Sequence, residues 1–191
     1  MNTIVKHCFV ALLLIPSLLT AQPDRVYRSL GEVTHPDSVF VLKLTHKRLN
    51  AVPQEVLAFR NLRVLDLSKN FIREIPAEMG QLSHLEELNL ERNHIRTVPD
   101  EMGNLVQLRR LNLSRNPILD LPASMGNLSR LEELTIWSTG IIEFPASFSA
   151  LNYTLKVIDM RVCPLTYDNQ EAIEQLLPTP KKKWFRTCNC H

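Results

Sequence analysis

The sequence predicts an α/β solenoid: short parallel strands stacked on one face, with short helices or irregular turns returning on the other. Two observations predict it. The pattern L-x-x-L-x-L-x-x-N occurs at Leu62–Asn70, Leu85–Asn93 and Leu108–Asn116, with 23 residues from each start to the next. The rest of the unit repeats in step, as Ile75-Pro76 with Met79-Gly80 and Leu82, Val98-Pro99 with Met102-Gly103 and Leu105, and Leu121-Pro122 with Met125-Gly126 and Leu128. A fixed period of this length marks one structural turn per unit, and each turn can bury its apolar side only against its neighbours.

The chain opens with a weakly basic segment, Met1–His7, then an apolar run, Cys8–Leu19, ending in small residues before Gln22. This is the layout of an export signal, too short to span a membrane; the alternative is a buried first helix. The expectation is cleavage after Ala21 and export to the medium, periplasm or cell envelope, with no transmembrane segment in the mature chain. Residues 1–21 carry one Lys and no acid, so their removal takes the net charge from +2 to +1. That near balance argues against nucleic acid as the partner. Residues 22–38 read as an N-terminal cap, with a short helix over Val26–Leu30 and a turn at His35-Pro36-Asp37-Ser38.

Residues 39–165 hold five full units and a partial sixth. In each, apolar and polar residues alternate through a short strand. The following Pro rules out a central strand and suits the first turn of a short helix. The Gly suits the end of that turn, where a left-handed residue is cheap. Looser units start at Val39, Leu131 and Leu155, the last after one extra residue near Asn152-Tyr153. The pattern resembles the leucine-rich repeat, and its Pro-x-x-Met-Gly half resembles the class in Ras-suppressor-like and plant intracellular Ras-group proteins. The resemblance covers about two thirds of the chain and implies a short right-handed horseshoe with a concave parallel sheet. It also implies an internal ladder of Asn70, Asn93 and Asn116, with Thr139 and Cys163 in equivalent slots. A buried amide needs such partners on physical grounds too, since an unmade bond costs about 1–3 kcal/mol.

Residues 166–191 read as a C-terminal cap helix and a Lys/Cys-rich tail. Asp168–Leu177 has helical spacing, opens on a cap-type residue and stops before Pro178. Lys181-Lys182-Lys183 reads as a solvated tail, with an anionic membrane or acidic partner as the alternative. After export, Cys163, Cys188 and Cys190 remain. One disulfide from Cys163 to either of the others would pin the tail; the alternative is a buried Cys163. Cys188-Asn189-Cys190-His191 offers too few ligands to expect a metal.

No catalytic motif is present, and His35, His46, His84 and His94 read as scattered. No enzyme activity and no cofactor are expected. The second position of successive units reads Arg63, Glu86, Arg109, Glu132, Lys156, and the third includes Glu87, Arg110, Glu133. Strands about 4.8 Å apart let these alternating charges pair laterally. The eighth position reads His46, Lys69, Arg92, Arg115 with no alternating acid, and Trp137 stands where other units carry Ser68, Glu91 and Ser114. The candidate partner-binding residues are therefore Trp137, Arg115, Arg92, Lys69, Asn112 and Thr135, on the concave face toward the C-terminal half. For Trp137, the alternative is cover for a poorly packed terminal repeat. The expected function is a monomeric, non-enzymatic scaffold that binds a protein or peptide, in signalling or at the cell envelope. Rival readings are an envelope protein binding glycan or peptidoglycan, and a cytosolic adaptor if the leader stays uncleaved.

Overall fold

The computed structural model describes residues 25–184. Among them, eight strands form one parallel sheet in chain order: β1 (Val26–Tyr27), β2 (Val41–Lys43), β3 (Val64–Asp66), β4 (Glu87–Asn89), β5 (Arg110–Asn112), β6 (Glu133–Thr135), β7 (Val157–Asp159) and β8 (Lys181–Lys183). The register carries each unit onto the next, Leu65 beside Leu88, Leu88 beside Leu111 and Leu111 beside Leu134. This is an open leucine-rich solenoid, and its core is one continuous column. Leu62, Leu65, Leu67 and Ile72 and their counterparts Leu85, Leu88, Leu90 and Ile95 are all buried. Burying each such side chain contributes roughly 1.5–3 kcal/mol.

The return limb of each turn is a 3-10 helix. Pro76, Pro99 and Pro122 stand at the N-caps of Ala77–Gln81, Asp100–Asn104 and Ala123–Asn127. Each proline fixes an extended entry and lacks a donor that the first turn leaves unused. Met79, Met102 and Met125 point inward and are buried, and Phe148 fills the same place one turn later. The extra residue near Asn152-Tyr153 is absorbed here: the 3-10 helix Ala146–Tyr153 runs eight residues where its predecessors run five.

The glycines have a different reason from the expected one. No glycine has a positive φ. A Cβ on Gly103 would lie 2.3 Å from the carbonyl oxygen of Ser124, and one on Gly80 would lie 2.4 Å from that of Glu101. These positions are glycine because the next turn's backbone presses on them.

Both ends differ from expectation. Val26–Tyr27 is strand β1, not part of a helix; Tyr27 is buried and its hydroxyl lies 3.2 Å from Ser38 Oγ. Two short 3-10 helices, Leu30–Glu32 and Pro36–Ser38, follow it. At the other end, helix α1 (Tyr167–Leu176) is capped by Thr166 rather than Asp168: Thr166 Oγ1 accepts from the Asn169 amide, and Asn169 Oδ1 accepts from the Thr166 amide. Lys181–Lys183 is no solvated tail. It is β8, bound to β7 through Lys181 N–H to Lys156 O (2.7 Å) and Met160 N–H to Lys183 O (2.8 Å). The expected leader, Cys188 and Cys190 lie outside the described residues.

Candidate partner-binding surface

Each strand ends where the chain must turn back, and one column of amides holds that turn. Asn70 Oδ1 accepts from the backbone of Lys47 and Leu49 in the previous turn, while its Nδ2 donates to Leu44 O and Leu67 O. Asn93 accepts from Ile72 and donates to Leu67 and Leu90. Asn116 accepts from Ile95 and donates to Leu90 and Leu113. In the later slots, Thr139 Oγ1 donates to Ile136 O at 2.7 Å, and the Cys163 thiol donates to the same carbonyl at 3.2 Å.

On the outward side of the sheet, charges pair across strands. Arg63 bonds Glu86 at 2.7 Å, while Glu132 takes Arg109 at 2.6 Å and Lys156 at 2.5 Å. Arg110 pairs with Glu87. The Arg63 hydrogen bond holds the Glu86 carboxyl below its usual range, and Lys156, then Arg109, do the same for Glu132.

In four of the units the fifth position has a structural use that sequence reasoning missed. Asp66, Asn89, Asn112 and Asp159 each accept a bond from the backbone amide two residues on, at 2.9–3.3 Å. This side-chain turn closes the strand. Asn112 thus spends one acceptor site of its Oδ1 within its own turn. The recurrent Asp/Asn two residues before the turn was the available signal.

The six candidate residues do not form one cluster. Asn112 and Thr135 are in register on β5 and β6 and line a shallow depression of about 220 Å³ with Glu87, Asn89, Arg110 and Glu133. Lys69 and Arg92 lie elsewhere, lining a hollow of about 410 Å³ with His46, Phe71 and His94. The eighth position lies beyond the strand, on a left-handed turn: His46, Lys69, Arg92 and Arg115 have φ of 58°, 57°, 57° and 54°. These residues form a rim beside the sheet. His46 and His94, read as scattered, share that hollow. Arg115, read as partnerless, stacks on Trp137 with its guanidinium carbon 4.3 Å from the ring centroid. Trp137 is half-buried, two residues past the end of β6. Among the described residues no group of three His, Cys, Asp or Glu side chains is placed to hold a metal, and no helix is long and apolar enough to cross a membrane.

Three overlapping stretches, residues 38–95, 60–118 and 83–141, match a family model described as leucine rich repeat. Together they run from 38 to 141, more than half of the 191-residue chain. The chain belongs to the leucine-rich-repeat family. Comparison with curated proteins gives no match. Among solved structures, internalin C2 of Listeria monocytogenes is similar with a TM-score of 0.65 and 21% identity, over 77% of this chain and 62% of its own. A leucine-rich-repeat protein of Leptospira interrogans is similar with a TM-score of 0.55 and 20% identity, over 84% of this chain and 54% of its own. The ectodomain of the Arabidopsis thaliana receptor kinase GASSHO1/SCHENGEN3, solved with CASPARIAN STRIP INTEGRITY FACTOR 2, is similar with a TM-score of 0.58 and 26% identity, over 69% of this chain and 16% of its own. This leucine-rich-repeat chain thus spans about half of the Leptospira protein and a small part of the plant receptor.

Proposed function

We propose that this leucine-rich-repeat chain is a non-enzymatic binding module that takes a protein or peptide on the C-terminal half of its sheet face. The observation that carries this reading is the Trp137–Arg115 stack, just past the ends of β5 and β6 on a face whose other charges are largely paired. A half-exposed aromatic ring held by a stacked cation presents apolar area that is already ordered, the property of a binding anchor. Beside it, Asn112 and Thr135 add polar groups in register on adjacent strands. Similarity to a receptor ectodomain solved with CASPARIAN STRIP INTEGRITY FACTOR 2 supports the same reading.

The test is a titration of a partner recovered by pull-down from native extract. Trp137→Ala is expected to weaken binding by about 2 kcal/mol or more, and Glu132→Ala to have little effect. Normal binding by Trp137→Ala together with loss in Glu78→Ala, on the 3-10 side, would overturn the assignment of the face.

The leader motivates a second element of the proposal: the module works outside the cytosol after losing residues 1–21. Intact-mass analysis of exported material is expected to show a chain beginning at Gln22. Recovery only from the cytosol, with the leader attached, would contradict it.

A further inference from the structure

The rim beside the sheet has an ordered composition that the fold does not require. Its eighth position is left-handed in every turn from His46 to Val162, with φ between 54° and 61°. Glycine and asparagine adopt this conformation most readily, and a β-branched residue there is an outlier. This chain instead carries His46, Lys69, Arg92, Arg115, Ser138 and then Val162. Backbone bonds lock the column: Lys69 N–H to Glu91 O at 2.8 Å, Arg92 N–H to Ser114 O at 2.9 Å, and Arg115 N–H to Trp137 O at 3.0 Å.

The twelfth position of successive units changes in the same order: Asn50, Arg73 and Arg96 give way to Leu119 (63% exposed) and Ile142, and Val162 (63% exposed) closes the eighth-position column. None of Arg48, Lys69, Arg73, Arg92 and Arg96 makes an ion pair among the described residues. The nearby acid Glu74 shares a hollow with Arg73 and Arg96. Net charge is only +2, so this strip concentrates cations that the molecule as a whole balances elsewhere. Between the cations, Phe71 and His94 stack with centroids 5.8 Å apart.

We propose that this rim, which meets the sheet-face site only at Arg115, is a second docking surface for an extended peptide segment carrying carboxylates at one end and apolar side chains at the other. Charge complementarity sets the acidic end against Lys69 and Arg92, and the apolar end covers Leu119, Ile142 and Val162. Five steps of about 4.8 Å separate His46 from Val162, a length that about seven extended residues span. A functional reason for long side chains in a conformation that disfavours them fits the pattern of local strain held at binding sites.

The test uses fluorescein-labelled synthetic peptides: glutamates followed by leucines, glutamates alone, and the same residues alternated. The ordered peptide is expected to bind about tenfold tighter than either control and to weaken steeply with salt. The double variant Lys69→Asn/Arg92→Asn keeps a residue suited to φ near +57° and removes the charge, so folding survives; binding should fall about tenfold or more. Leu119→Ser/Val162→Ser should reduce the ordered peptide to the level of glutamates alone. Thr135→Ala, on the sheet face, should leave peptide binding intact, so this surface and the sheet-face site fail independently. Equal binding of ordered and alternated peptides, or no effect of the asparagine variant, would overturn the proposal. So would binding of a heparin fragment or anionic vesicles at Lys69 and Arg92 when the peptides do not bind.

Discussion

Asn93 ties two successive turns together, accepting from Ile72 and donating to Leu67 and Leu90 from a buried position. Replacing it with Ala leaves those groups without their partner, so Asn93→Ala is expected to cost about 1–3 kcal/mol in a denaturant melt. Gly103 gives a sharper test of the stacking. Its missing Cβ is the space occupied by the Ser124 carbonyl, so Gly103→Ala forces two turns apart. A cost of about 1–3 kcal/mol is expected; a melt like wild type would mean that the turns stack more loosely than described. At this scale the sequence disclosed which residues recur, and the amide ladder followed from the need to satisfy a buried Asn. It did not disclose why the glycines recur, because close approach of the next turn and a left-handed φ leave the same glycine in the sequence. The truly left-handed positions were hidden under His, Lys and Arg, residues that give no local sign of that conformation.

The strands and 3-10 helices of the middle units were legible because each repeats the same inward pattern at a fixed period. The two end strands were not. Strand β1 is two residues long, and β8 is three lysines, so neither shows apolar alternation; both exist because the open ends of the stack offer unpaired backbone. Lysines suit an exposed sheet edge, where they discourage pairing with another chain. Lys182 is the exception, since burial pushes its ammonium pKa down. The lowered value means that its charge costs folding stability at neutral pH, and the cost fades as pH rises through the folded-state value. Lys182→Met is therefore expected to raise the melting temperature at pH 7, and a lower one would contradict this. The lateral ion pairs act in the opposite sense. Glu86 and Glu132 have depressed pKa values, so their contribution is present above the ordinary glutamate range, near pH 4, and is lost as pH falls through the folded-state values. Wild type should lose melting temperature below about pH 4, and Glu86→Gln should lose less of it. An unchanged acid slope in Glu86→Gln would remove that pair from the account.

Taken as a molecule, the chain is a column in which no turn closes its own core. Leu88→Ala, at the centre of the stack, is expected to cost about 2–5 kcal/mol and to be felt beyond its own turn, because each interface depends on its neighbours. The outward surfaces were harder to read than the interior. Trp137 and Arg115 were visible as unusual letters, but their mutual stacking, the turn-closing bond at Asn112 and the separation of Lys69 and Arg92 onto the rim depend on how one unit sits against the next. The central claim is that the sheet face near Trp137 receives the partner. Radical footprinting of the chain with and without a partner recovered from native extract tests it most directly. The account predicts that oxidation of Trp137 falls on complex formation while Met79 and Met102, already buried, and the exposed 3-10 side stay unchanged. Unchanged oxidation of Trp137, with protection confined to the 3-10 helices Ala77–Gln81 and Asp100–Asn104, would contradict it.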